Sequence, residues 1–154
     1  MEKKRSFFQN TCKPEGFGGK MMVRTMNTGH AALVEWGFQH ISVGEHDAAL
    51  DIGCGGGANL QKLLTKSSRG IIKGIDYSPV SVERSRKKNA AAIQAGRCEV
   101  VQGNVMELPF EDGGFHVVTA FETIYFRLDL RKAFQQVCRV LADGGKAREW
   151  KKFG

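Results

Sequence analysis

The chain has 154 residues, 42% of them apolar and 25% charged, the make-up of a globular domain long enough to bury one core. No apolar run approaches the roughly 20 residues that span a bilayer, and Phe7-Phe8-Gln9-Asn10-Thr11 is too short and polar for a secretory signal. The net charge of +7 sits at the two ends: residues 1–24 carry six Lys/Arg against two acids, and residues 146–154 carry four against one. The body from 25 to 145 is therefore neutral, whereas a nucleic-acid surface would be a basic stripe on the fold. RNA and DNA are not expected partners.

Residues 1–19 are polar and glycine-bearing and read as a flexible basic arm. Residues 20–41 have helical spacing of apolar positions, broken near Thr28-Gly29, and read as N-terminal cap helices. A regular alternation follows: strand 47–52, helix 57–66, strand 70–76, helix 79–95 opened by Pro79, strand 98–103, strand 115–121 and helix 128–141. Strands and helices alternating at this pitch predict an α/β, Rossmann-like parallel sheet with helices on both faces, in strand order 3-2-1-4. The domain so defined covers residues 20–145. Beyond Gly144-Gly145 only Ala147, Trp150 and Phe153 are apolar, which does not match a buried strand. Residues 146–154 therefore read as a basic tail, with the C-terminal strands missing or incomplete. Strand four would then be an open edge, and self-association through it is expected.

Cys12, Cys54, Cys98 and Cys138 lie about 40 residues apart, with no Cys-x-x-Cys pair and no histidine in ligand spacing. Reduced thiols in a cytoplasmic protein are expected, and no metal site is.

Three chemical groups fall at successive strand ends: Asp51 with the glycines Gly53, Gly55 and Gly57, then Asp76-Tyr77, then Asn104-Val105. Glycines allow a sharp turn and a close approach of backbone to ligand, and the helix that follows presents its N–H groups. A carboxylate accepts from two ribose hydroxyls, and an amide can meet an adenine edge. The constellation suits a nucleoside-bearing ligand. Bland roles compete: Asp76 could cap the helix at Pro79, and Asn104 could serve only a turn. Gly53, Gly55 and Ala58 also satisfy the dinucleotide fingerprint, so an NAD(P)-dependent oxidoreductase is the alternative. Asp51 weighs against it, since an acid beside pyrophosphate is repelled.

On these residues the chain resembles the class I S-adenosylmethionine-dependent methyltransferases, in the small-molecule branch that includes the ubiquinone/menaquinone enzymes. Leu50-Asp51-Ile52-Gly53-Cys54-Gly55-Gly56-Gly57 is similar to the family's first motif. Gly74-Ile75-Asp76-Tyr77-Ser78 is similar to its second strand end, and Gly103-Asn104-Val105-Met106-Glu107-Leu108-Pro109-Phe110 to its adenine-contacting stretch. Phe115-His116-Val117-Val118 with Phe121-Glu122 resembles the fourth strand, and Arg139-Val140-Leu141-Ala142-Asp143-Gly144-Gly145 the turn before the fifth. The resemblance implies S-adenosylmethionine as cofactor and methyl transfer to a small-molecule acceptor, with little turnover if the chain is a fragment. It implies that Gly53, Cys54 and Gly55 cradle the methionine end and that Asp51 lies near its ammonium. Asp76 would hold the ribose, Tyr77 would pack on the adenine, Asn104-Val105 would meet the base edge, and Phe121 would lie near the methionine portion. Met26, Asn27 and His30 are lid candidates, and Glu122 and Tyr125 are acceptor-side candidates. No catalytic residue is singled out, because an in-line displacement chiefly needs alignment.

Overall fold

The structure, a computed structural model, describes residues 31–121 and 129–150. The expected arm 1–19, the first half of the cap region (20–30), and Met26, Asn27, His30, Glu122 and Tyr125 lie outside these residues. Within them the chain runs α1 (Ala31–Gln39), β1 (Ala49–Ile52), α2 (Ala58–Lys66), β2 (Ile72–Asp76), α3 (Pro79–Lys88), α4 (Ala90–Gln94), β3 (Cys98–Gln102), β4 (Phe115–Phe121), α5 (Leu130–Val140) and β5 (Leu141–Trp150). The strands form one sheet in the order β3-β2-β1-β4-β5, and every pairing is parallel.

β1 is the central strand, and all four of its residues are buried. Because side chains alternate across a strand, Ala49 and Asp51 face one side while Leu50 and Ile52 face the other. Ala49 joins Phe38 of α1, Leu60 and Leu63 of α2, and Val82 of α3 in one core. Leu50 and Ile52 join Ile75, Val118, Val137 and Val140 in a second core beneath α5. Each fully buried Leu or Ile contributes about 1.5–3 kcal/mol, so the two layers hold the sheet from both faces as the strand-helix alternation predicts. Two arginines fasten the connections. Arg97 donates to the carbonyls of Leu64, in the last turn of α2, and of Ser67 and Gly70 beyond it. Arg139 donates to the carbonyls of Leu108 and Phe110 and to the carboxylate of Asp112, holding the β3–β4 connection against α5.

Two expectations are corrected. The segment from Lys146 to Trp150 is not a tail: it pairs with Val117–Phe121 as the outer part of β5. A parallel strand must be apolar throughout only where both faces are covered; here Lys146 and Ala147 are exposed at the sheet margin. Between the Phe115↔Leu141 and Val117↔Lys146 pairs the register slips, and Gly144 adopts a φ of 74° in the bulge. The edge beside β4 is thus β5, not β4. The single helix expected over 79–95 is also split, at Asn89, whose buried side chain turns back toward Gly57.

Candidate cofactor site

Parallel register places the carboxyl ends of β1, β2 and β3 side by side, with Asp51 opposite Gly74, Ile52 opposite Ile75, and Asp76 opposite Gln102. The loop leaving β1 is fixed by backbone. The N–H groups of Gly53 and Cys54 both donate to the Ile75 carbonyl, at 2.7 and 3.1 Å. Gly53, Gly55 and Gly57 have φ values of 69°, 54° and 88°, a region that costs other residues about 1–2 kcal/mol each. At Gly57 space is the stricter demand. A Cβ there would stand 2.5 Å from Ser85 Oγ, 2.6 Å from Asn89 Nδ2 and 2.9 Å from Ser85 Cα. The third glycine therefore lets α2 begin against α3, while the Asn89 amide donates to the Gly57 carbonyl at 3.1 Å.

Asp76 ties the second strand end to this loop. Its Oδ2 accepts from the Gly55 N–H at 2.9 Å, and its Oδ1 accepts from the Ser78 N–H at 2.8 Å. The cap of α3 is Ser78, which accepts from the Ser81 N–H with Pro79 in the first turn, so the capping role does not fall to Asp76. Burial pushes the Asp76 carboxyl above its ordinary range, against the pull of the backbone donors from Ser78, Gly55 and Tyr77. Each carboxylate oxygen carries two lone pairs, so these bonds leave acceptor capacity for a ligand's hydroxyls.

Asp51 is the sharper case. It is 0% exposed, and burial raises its carboxyl to about 7, opposed by hydrogen bonding from Thr119 and Asn59 and aided by the charge of Asp76. Thr119 Oγ1 donates to Oδ1 at 2.6 Å. Oδ2 has no hydrogen-bond partner, although the Asn59 amide is near enough to favour the charged form. A buried carboxylate oxygen in that condition is costly. Two carboxylates on adjacent strands, both disfavouring ionisation, fit a ligand that brings positive charge. The ammonium and sulfonium of S-adenosylmethionine meet that demand, while the phosphates of a dinucleotide would add to the repulsion.

The other expected residues divide. Tyr77 follows Asp76 and is 41% exposed, and its carbonyl accepts from Gln102 Nε2. Asn104 makes the turn: its Oδ1 accepts from the Met106 N–H and its carbonyl from the Glu107 N–H. Val105 packs on the α5-side core. Phe121 is buried and stacks on Phe38 of α1, with ring centroids 5.5 Å apart, so it joins the core that closes over the end of β4. Cys54 is buried, its thiol pushed well above the ordinary range by desolvation and the two carboxylates, with Sγ 3.8 Å from Ser85 Oγ. Sequence reasoning missed Thr119, Asn59, Ser85 and Asn89. Thr119 had a signal, as a hydroxyl within an otherwise apolar part of β4. The helix residues had none, since only their contact with the glycine loop distinguishes them.

Among the described residues no group of three or more His, Cys, Asp and Glu could hold a metal ion. No described helix is long and apolar enough to cross a membrane.

Comparison with known proteins agrees with this geometry. The profile of the family described as "Methyltransferase domain" matches residues 49–145. The chain is 34% identical over 106 residues to the O-methyltransferase resE of Aspergillus sclerotiorum, covering 68% of this chain and 39% of that protein. It is 34% identical over 100 residues to the 27-O-demethylrifamycin SV methyltransferase of Amycolatopsis mediterranei, covering 65% of this chain and 36% of that one. A crystal structure described as an S-adenosyl-L-methionine-dependent methyltransferase of Methanococcus maripaludis superposes with a TM-score of 0.75 at 27% identity, covering 97% of this chain and 66% of that one. The chain thus spans less than two-fifths of the length of these two curated relatives. A buried acid, a glycine loop locked to the second strand and a second acid fastened to that loop are shared out over the matched segment, and the chain belongs to the methyltransferase-domain family, whose cofactor is S-adenosylmethionine.

Proposed function

We propose that this chain is the cofactor-binding part of an S-adenosylmethionine-dependent methyltransferase acting on a small organic acceptor. The observation that carries the reading is the buried Asp51 carboxylate with an unpartnered oxygen, beside a loop whose backbone Asp76 fastens. The names of the relatives support the class of acceptor: they include a 27-O-demethylrifamycin SV methyltransferase and a sterol 4-C-methyltransferase of Caenorhabditis elegans.

The cofactor supplies a methyl group on a positively charged sulfur. The residues of the chain do the rest by position. Asp51 takes the cationic amino-acid end. Asp76 accepts from the ribose hydroxyls, and Tyr77 lies over the base. Holding donor and acceptor in line accounts for about 7–11 kcal/mol of barrier lowering without a dedicated acid or base. A base is needed only where the acceptor must first lose a proton.

Isothermal titration tests the reading. S-adenosylhomocysteine should bind at a 1:1 ratio and NADH should not. Heat from NADH alone would replace this reading with the oxidoreductase one. Turnover against phenols, quinols and sterols then asks whether this length of chain suffices for catalysis.

A further inference from the structure

A cavity of about 450 Å3 lies between the glycine loop and the outward face of α3, lined by Gly56, Val80, Glu83, Arg84, Lys87 and Lys88. Its volume falls in the range of small-molecule sites, roughly 300–1,000 Å3. Val80, Glu83, Arg84 and Lys87 recur at the spacing that puts residues on one helix face, so a single stripe of α3 forms the wall. The buried Val80 gives it an apolar floor, and Gly56 contributes only backbone.

The charge of this stripe is one-sided. Three cations line the cavity against one carboxylate, and that carboxylate, Glu83, pairs with Lys87 at 2.9 Å across an exposed surface. Such surface pairs are weak and exchange readily. Attraction to the negative end of the helix accounts for basic residues in the last turn, but not for the concavity that they line. Arg86, in the same run, is turned the other way and donates to the Val100 carbonyl. Residues 1–24 of the chain carry six cations to two acids, so that stretch does not complement this surface.

We propose that the cavity binds the phosphate or diphosphate group of a small organic molecule. Arg84 offers a planar fork suited to two phosphate oxygens, and Lys87 and Lys88 add point charges. Val80 receives the adjoining apolar part. A small molecule is favoured over nucleic acid because residues 25–145 are neutral overall, with thirteen Lys/Arg against thirteen acids, whereas a nucleic-acid surface is usually strongly basic.

The test titrates the full chain with inorganic pyrophosphate at low salt, with and without saturating S-adenosylhomocysteine. Saturable 1:1 binding is expected in both conditions. The double variant Arg84→Gln/Lys87→Gln should weaken it about tenfold or more, from two lost charge-assisted contacts. The variant Arg131→Gln/Lys132→Gln removes the same charge from α5 and should leave it unchanged. Melting midpoints of both variants verify the fold. Absence of saturable binding overturns the proposal, as does equal loss in both double variants. Displacement by S-adenosylhomocysteine would move the anion into the cofactor crevice and also overturn it. Tighter binding of a 20-nucleotide RNA through Arg84 and Lys87 would replace the small molecule with a polyanion.

Discussion

Two glycine turns in this sheet share a backbone conformation and differ in everything around it. Gly57, at the start of α2, has φ of 88° and meets Ser85 and Asn89 within 3 Å of where a Cβ would stand. Gly144, in the β5 bulge, has φ of 74° and nothing within 4 Å of that position. Around the first, buried Asp51, Thr119, Ser85 and Asn89 are locked between strands and helices. Around the second, the strand is exposed and its register slips. The same residue type thus serves assembly of a binding crevice at one end and only the routing of an edge strand at the other.

The largest effect should come from the charge stored in the crevice. Asp51 titrates near 7 when folded and near 3.9 when unfolded. Its folded value is raised, so the native state holds the extra proton between those limits. This group's contribution to stability therefore falls as pH rises from about 4 to 7, by on the order of 4 kcal/mol for the ligand-free chain. Asp51→Asn keeps an acceptor for Thr119 and should flatten that limb in urea unfolding at pH 5 and pH 8. An unchanged slope would remove Asp51 from the account. A cationic ligand favours the ionised form, so S-adenosylmethionine affinity should increase as pH rises through 7.

Gly57→Ala should cost about 2–4 kcal/mol, from left-handed strain together with overpacking. Chemical denaturation reads it directly, and a loss below 1 kcal/mol would mean that α3 gives way. Asp76→Ala should weaken S-adenosylhomocysteine binding by about 1–3 kcal/mol through lost hydrogen bonds to a charged group, measured by titration. Unaltered affinity would restrict Asp76 to fastening the loop at Gly55 and Ser78. Gly144→Ala completes the comparison: with open space around it, only the backbone penalty of about 1–2 kcal/mol applies. A loss matching that of Gly57→Ala would show the edge to be as constrained as the crevice.

The apolar patterning and glycine punctuation made the central strands, the helices on both faces and the first acid-glycine run legible in advance. These depend on period and local chemistry, which a sequence displays. β5 was illegible because an edge strand with an exposed segment does not need the continuous apolar run that marks a strand covered on both faces. Asn104 was ambiguous for a different reason: one side chain can form a turn or meet a base, and its Oδ1 is engaged in the turn.

What the sequence by itself determined is where carboxylates and glycines stand along the chain, and so which strand ends carry them. Only the tertiary structure decided that Asp51 is sealed from water against Thr119, that Asp76 grips the glycine loop, and that Asn89 breaks a helix to reach Gly57. Periodicity is a property of neighbours along the backbone. Desolvation and long-range hydrogen bonds arise from residues tens of positions apart that meet only when the sheet is assembled.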